Sequence, residues 1–301
     1  MAEIENKPEP KESKMKAVLL AGGTGSRLKP LTRAVSKQLL PLYDKPIIYY
    51  SLSTLFAAGA DDICIITNVE SLHLYQKLLG DGSEFGIKIC YIVQENPEGL
   101  PHGITLASDF IDNDKFLFML GDNFFYGEAL GKMVKDLYDE TTGASVFLYR
   151  VSNPEEFGVA TLCNNKIVDI IEKPVKTSSN LAVTGLYCFS PCSVEKALRL
   201  KKSDRNEFEI VDLLRAYMDS DSLSYEILGR GYSWMDTGTF DGILDTSNFV
   251  RALQKRQGLQ VGCLEELSYR NGWIDRKQLL KLATQYKNDF AHYLQSLPLG
   301  Q

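Results

Sequence analysis

Histidine is scarce in this chain. Three occur in 301 residues (His73, His102, His292), too far apart to suggest a zinc site. The six cysteines (Cys64, Cys90, Cys163, Cys188, Cys192, Cys263) include no C-x-x-C pair, so no metal knuckle or disulfide framework is encoded. Five of them lie in apolar, strand-like stretches and read as reduced core thiols. No apolar run reaches the roughly 18–20 residues a membrane span needs, and no signal-peptide apolar segment opens the chain. The cytoplasm is therefore the expected compartment. Basic residues are not in excess: Lys and Arg number 33, Asp and Glu 39, for a formal net charge of −6. That balance argues against nucleic acid or an anionic membrane held by bulk charge. An anionic small molecule is not excluded, because a few local cations and backbone amides suffice to hold a phosphate. What is present, 44% hydrophobic and 24% charged residues, describes an ordinary globular protein with ample core for one large unit or two smaller ones.

Residues 1–14 are charged, contain proline and have almost no large apolar side chains, so a disordered tail is expected there. Order is expected from Met15. Residues 16–21 form an apolar strand that runs into Gly22-Gly23-Thr24-Gly25. The pattern then predicts a helix over 46–60, a strand over 62–68, a helix over 71–79 and a strand over 88–94. A helix over 101–111 and a strand over 116–120 follow, the latter stopping at Gly121-Asp122-Asn123. A helix over 128–139 and a strand over 144–151 complete this half. Strands alternating with helices predict an α/β fold, a Rossmann-like and mostly parallel sheet covered on both faces. Ligands of such sheets collect at the carboxyl ends of the strands. The glycine loop, Gln94 and Asp122 should therefore share one rim. Later strands near 159–163, 166–171, 182–190, 223–228 and 232–235, with helices near 191–200 and 207–219, read as mixed or antiparallel additions. Residues 241–301 read as a mostly helical appendage.

The loop AGGTGSRLKP fails two familiar phosphate-loop patterns. A dinucleotide fold needs a third glycine where Leu28 stands, and a Walker loop needs G-x-x-x-x-G-K-[ST]. What remains is a glycine loop carrying Arg27, a permanently charged fork suited to phosphate oxygens, or simply a Gly-rich turn beside a solvated arginine. Several other residues are equally open when read alone. Asp122 is as readily a turn aspartate as a metal ligand, and Gln94 as readily a polar strand end as a base reader. Glu172-Lys173-Pro174 is as readily an exposed charged turn as part of a site.

The run of motifs narrows these choices. GGTGSRLKPLT is followed by SKQLLPLYDKPIIYY, then Leu-Gly-Asp-Asn at 120–123, Glu172-Lys173-Pro174, VTGLY at 183–187, WMDTGT at 234–239 and RNGW at 270–273. In this order and spacing they resemble the sugar-1-phosphate nucleotidylyltransferases, and the SKQLLP segment resembles the glucose-1-phosphate thymidylyltransferases among them. The resemblance covers residues 15 to about 301. It implies a nucleotidyltransferase (glycosyltransferase A-like) architecture and transfer of a thymidylyl group from dTTP to glucose 1-phosphate, releasing pyrophosphate, at the head of deoxysugar synthesis. A UTP-using relative or another sugar phosphate remains the alternative. A non-catalytic binding subunit is disfavoured, because Arg27, Lys37, Asp122, Lys173 and Asp236 are all retained.

The resemblance also assigns roles. Asp122 and Asp236 would hold Mg²⁺. Arg27 and Lys37 would hold the triphosphate and Lys173 the sugar phosphate. The nucleotide site would draw on Leu20, Ala21, Gly22, Gly23, Thr24, Gly25, Ser26, Gln38, Gln94 and Gly99, and the sugar site on Asn123, Phe157, Gly158, Glu172 and Val183. Residues 15–151 would then carry the nucleotide part of one core and 152–240 its sugar part. Residues 241–301 would serve assembly and regulation. Long-form relatives imply a homotetramer with a second site for a dTDP-sugar inhibitor, here touching Gly127, Arg230, Glu266 and Arg270. Two departures accompany this. Relatives often read Gly-Leu-Ala-Gln-Ala where this chain has Gly99-Leu100-Pro101-His102-Gly103. They also place an aromatic and a histidine where it has Leu130 and Gly131.

Overall fold

Strand β1 (Met15–Leu20) sends Ala17 and Leu19 to one side and Val18 to the other, and all three are fully buried. A strand apolar on both faces needs cover above and below. The structure is a computed structural model describing residues 14–23 and 25–298. The expected tail, except Lys14, and Thr24 of the loop thus lie outside the described residues. Beyond the loop, three single turns of 3-10 helix (Ser26–Leu28, Leu31–Arg33, Lys37–Leu39) and a short ribbon of β2 (Pro41–Leu42) and β3 (Lys45–Pro46) lead into α1 (Ile47–Ala58). The alternation then proceeds as β4 (Ala60–Thr67), α2 (Val69–Leu79), β5 (Lys88–Val93), α3 (Leu100–Leu106), α4 (Ser108–Ile111) and β6 (Phe116–Leu120).

Strands β5, β4, β1 and β6 lie side by side and parallel, as expected. Helices α1, α2 and α5 (Leu130–Glu140) cover the Ala17/Leu19 face. Helices α3, α4, α6 (Ser193–Leu198) and α7 (Ile210–Met218) cover the other. Strand β11 (Leu181–Phe189) adds antiparallel to β6 and also pairs with β8 (Ala144–Arg150) and β9 (Gly158–Cys163). Strands β10 (Lys166–Glu172) and β12 (Leu223–Ile227) form the outer additions, completing a mixed α/β sheet of nine strands.

Three details differ from the sequence expectations. Residues Asn123–Gly127 form a strand, β7, paired antiparallel with β13 (Tyr232–Asp236), and the helix expected from 128 begins at Leu130. A five-residue aromatic run declares itself a strand only through its partner, which lies far along the chain. The helix expected over 101–111 is two helices broken at Ala107; Ile104, Ala107 and Ile111, at i, i+3 and i+7, keep one helical face buried on the sheet across the break. Only Cys64, Cys188 and Cys263 are core thiols; Cys90, Cys163 and Cys192 are exposed. Cys90 sits on the edge strand β5, where alternate residues meet solvent.

The end of the chain is helical: α8 (Phe240–Gln257), α9 (Leu264–Arg270), α10 (Arg276–Ala283) and α11 (Asp289–Ser296). Thr239 caps α8 by accepting from the amide of Gly242. The last three helices share a small core of Cys263, Ile274, Leu279, Leu282 and Leu294.

Candidate active site

The ribbon of β7 and β13 brings two aspartates together. Asp122 follows β6, and Asn123 opens β7 directly across from Asp236 at the end of β13. Thr237 locks the junction: its amide and hydroxyl both donate to the carbonyl of Asp122, at 3.3 and 2.7 Å. Between the carboxylates lies Lys37, presented by its 3-10 turn and only 7% exposed. Its Nζ is 2.6 Å from Asp122 Oδ2 and 3.9 Å from Asp236 Oδ1. Burial, then the charge of Asp122, push the Asp236 carboxyl up to about 6, while Lys37 and Arg27 pull the other way. The arrangement favours a further cation. Among the described residues no three carboxylate, imidazole or thiol groups converge, so a metal here would rest on these two carboxylates and on oxygens from elsewhere.

Gly23, Gly25, Ser26, Arg27, Lys37 and Gln38 line one cleft with Asp122 and Asp236. Gly25 is left-handed (φ 58), and a Cβ there would come within 2.8 Å of Thr32 Cγ2. The Thr32 hydroxyl donates to the carbonyl of Gly25 at 2.7 Å, fixing the turn that aims Arg27. Gln38 is buried, and its Oε1 accepts from the hydroxyls of Ser36 (2.7 Å) and Tyr75 (3.5 Å). Its position is that of a brace beneath the cleft. Ala21 is buried, its amide donating to Ile66.

Two further recesses flank this cleft. One is lined by Asn123, Phe157, Gly158, Glu172 and Val183, together with Asp122 and Asp236. Asn123 is its structural node: Oδ1 accepts from the amide of Gly185 (3.1 Å) and from Trp234 Nε1 (2.6 Å), and Nδ2 donates to Asp122 Oδ1 (3.1 Å). A Cβ on Gly185 would sit 2.5 Å from Asn123 Oδ1. The Phe157 ring packs on Trp234, with centroids 5.0 Å apart. The other recess is lined by Leu20, Gly23, Arg27, Gln94, Gly99, Glu172 and Lys173. A Cβ on Gly99 (φ 98) would meet the carbonyl of Phe208 at 2.1 Å. A Cβ on Gly22 would lie 3.3 Å from Gln94 Oε1. Lys173 is held in a left-handed turn (φ 45), its amide donating to Phe157, and its Nζ lies 4.0 Å from Glu172.

Sequence reasoning missed three residues here. Arg205 lines the recess of Lys173, forks onto Glu209 (3.1 and 2.6 Å) and lies 3.5 Å from Glu172. It sits in a polar loop that carries no motif. Trp234 reads as an ordinary aromatic until its indole N–H is found on Asn123. His102 accompanies Gln94, at 3.0 Å.

The residues expected at a second site are only partly brought together. Gly127, Glu266 and Arg270 line a groove between α1, the start of α5 and α9. Arg230 lies in the turn between β12 and β13, outside that groove. Glu266 is engaged by Arg270 Nε (2.8 Å) and by the Tyr293 hydroxyl (2.6 Å). Gly131 packs so closely on α1 that a Cβ would lie 2.1 Å from the carbonyl of Ala57.

Residues 16–252 match the nucleotidyl transferase family, and a mixed, centrally parallel sheet whose strand ends gather a glycine loop, two cations and a carboxylate pair is consistent with that class. A glucose-1-phosphate thymidylyltransferase of Neisseria meningitidis is 49% identical over 282 residues, covering 93% of this chain and 98% of that protein. One from Mycolicibacterium smegmatis is 45% identical, covering 94% and 99%. The chain belongs to the glucose-1-phosphate thymidylyltransferase family. Among solved structures, a UDP-glucose pyrophosphorylase bound to UDP-glucose superposes with a TM-score of 0.70 at 26% identity, covering 81% of this chain and 100% of that one. No helix among the described residues is long and apolar enough to cross a membrane.

Proposed function

We propose that the enzyme joins glucose 1-phosphate to the thymidylyl group of dTTP, giving dTDP-glucose and pyrophosphate. The observation that carries the reading is the meeting of Asp122, Asp236 and Lys37 between two recesses, one beside Gln94 and one beside Glu172. An oxygen of the sugar phosphate attacks the α-phosphorus. A P–O bond forms there, the bond to the β-phosphate oxygen breaks, and pyrophosphate leaves with that electron pair. Both reactants are anions, so charge neutralisation and alignment are the protein's main work.

Arg27, exposed on its loop, holds the outer phosphates and the leaving pyrophosphate. Lys37, kept close by Asp122, meets the α-phosphate. Lys173 and Arg205 clamp the sugar phosphate, and Glu172 with the backbone at Gly158 and Val183 receives sugar hydroxyls. Gln94 offers a donor and an acceptor to the pyrimidine edge, and Gly99 lets the backbone pass close by. Asp122 and Asp236 would hold Mg²⁺: two hard oxygen donors whose mutual repulsion is already visible in Asp236 suit it. Such an ion supplies charge screening for the phosphates.

Assembly into a homotetramer belongs to the same reading, and Phe240 and Leu244, exposed one turn apart on α8, offer such an assembly an apolar contact. The groove of Gly127, Glu266 and Arg270 supports a second, weak site for a dTDP-sugar. Six unpaired cysteines fit a reducing compartment, the cytoplasm. Pyrophosphate release measured over a panel of nucleoside triphosphates and sugar phosphates tests the reading. Turnover should be greatest with dTTP and glucose 1-phosphate; a preference for UTP would replace the nucleotide, and no turnover with any pair would sink the proposal.

A further inference from the structure

Gln94 is anchored before its side chain does anything. Its amide donates to the carbonyl of Thr67 at 2.8 Å, and the residue is only 4% exposed. Its side-chain amide has two ends of nearly equal shape and opposite polarity. Turned one way, the pair of ends matches a pyrimidine carrying a ring N–H and a 4-carbonyl. Turned the other way, it matches one carrying a bare ring nitrogen and a 4-amino group. Whatever fixes the amide therefore chooses the base.

The neighbours fix it. Gln94 Nε2 lies 3.0 Å from His102 Nδ1, and Oε1 points to the other side, against Gly22. In the neutral ring protonated at Nε2, Nδ1 is an acceptor only. The turned amide would set an oxygen lone pair against that of Nδ1. The carboxylate of Glu98 is an ion-pair neighbour of the ring but stands beyond hydrogen-bond reach of Nδ1. Its Oε2 is 3.9 Å from Nδ1, and its Oε1 takes Lys202 Nζ at 2.9 Å. The loop itself is pinned, since the amide of Phe208 donates to the carbonyl of Glu98. His102 is placed as firmly. Pro101 stands in the first turn of α3, just after its first residue Leu100, and the absent side chain of Gly103 lets that turn press on Leu20 and Ile66.

We propose that His102 is a positioning residue for base selection: by accepting from Gln94 Nε2 it holds the amide in the orientation that reads thymine or uracil and rejects cytosine. One Nε2 hydrogen and the lone pairs of Oε1 stay free for the base. The proposal rests on the reading of Gln94 given above and adds what orients it.

Initial rates with glucose 1-phosphate and either dTTP or dCTP test it, for the unaltered enzyme, His102→Leu, His102→Asn, Gln94→Leu and the Gln94→Leu/His102→Leu double variant. His102→Leu should lower the preference for dTTP over dCTP by about tenfold in kcat/KM, the worth of one hydrogen bond. The change should come through the nucleotide KM, with the KM for glucose 1-phosphate unmoved. His102→Asn can present either a donor or an acceptor near the place of Nδ1, so it can pair with Gln94 in both orientations and should restore little of the preference. In the Gln94→Leu background, His102→Leu should change nothing more. A His102→Leu enzyme that keeps its preference, or loses equally on both nucleotides, while Gln94→Leu does lose preference, overturns this proposal alone. A Gln94→Leu enzyme with unchanged preference overturns the reading of Gln94, and this proposal with it.

Discussion

Lys37 shows how one residue type is read differently in sequence and in space. In the sequence it is a lysine in a motif. In the structure its ammonium is nearly buried between two carboxylates, 2.6 Å from the nearer. Removing either carboxylate should unbalance it. Asp122→Asn and Asp236→Asn are each expected to lower turnover by roughly 10²–10³-fold, the scale seen when a transition-state electrostatic group is lost. Rates measured at saturating Mg²⁺ check this, and near-normal turnover in either variant would end the two-carboxylate assignment. Lys173 and Arg27 should separate by substrate. Lys173→Ala is expected to raise the KM for glucose 1-phosphate more than that for dTTP, because its Nζ lies beside Glu172. Arg27→Ala should act through dTTP and the rate. Both KM values measured for both variants decide, and the reverse pattern would exchange the placements.

At the scale of elements, the β7–β13 ribbon and its node at Asn123 carry the geometry. Trp234→Phe keeps an aromatic ring, though a smaller one, beside Phe157 but removes the indole N–H from Asn123 Oδ1. About 1–2 kcal/mol of stability should be lost in denaturant unfolding, together with activity, since Asn123 also donates to Asp122. Unchanged kinetics in a destabilised variant would show that Asn123 holds the fold and not the carboxylate. The close approach of α5 to α1 gives a contrasting case. A Cβ on Gly131 would lie 2.1 Å from the carbonyl of Ala57, so Gly131→Ala should destabilise by about 1–3 kcal/mol through overpacking. Both catalytic KM values should stay put, because neither helix lines the catalytic recesses; a stable Gly131→Ala protein would contradict this packing.

For the whole molecule, the expectation concerns assembly and feedback. Light scattering should find a tetramer, and a dTDP-sugar should inhibit only weakly. Leu130 gives a base nothing to stack on, and Gly131 leaves no room for a side-chain donor, which weakens binding by roughly 1–3 kcal/mol. Inhibition titrated against dTTP checks it. Tight inhibition lost in Arg270→Ala but indifferent to Leu130→Phe would mean the missing aromatic is immaterial.

The alternation of strands and helices to residue 151, the glycine loop and the rim of strand ends were legible in the sequence, because burial on two faces and backbone freedom leave local patterns. So was the family, through motifs carried at fixed spacing. Local patterns also misled: Cys90 and Cys163 sit in strand-like runs but face solvent, since only the position of a strand in its sheet decides which faces are covered. Strand β7 was invisible for the same reason, as its partner β13 is remote in the chain. The sequence alone thus determined the fold class and the family, and it singled out Arg27, Lys37, Asp122, Lys173 and Asp236 as the residues proposed for the site. Only the tertiary structure decided that Asp236 stands beside Asp122, that Arg205 joins Lys173, that Arg230 lies outside the second groove and that His102 meets Gln94. Each of these depends on where residues far apart in the chain or on different elements come to lie, and that is settled only once the elements have packed.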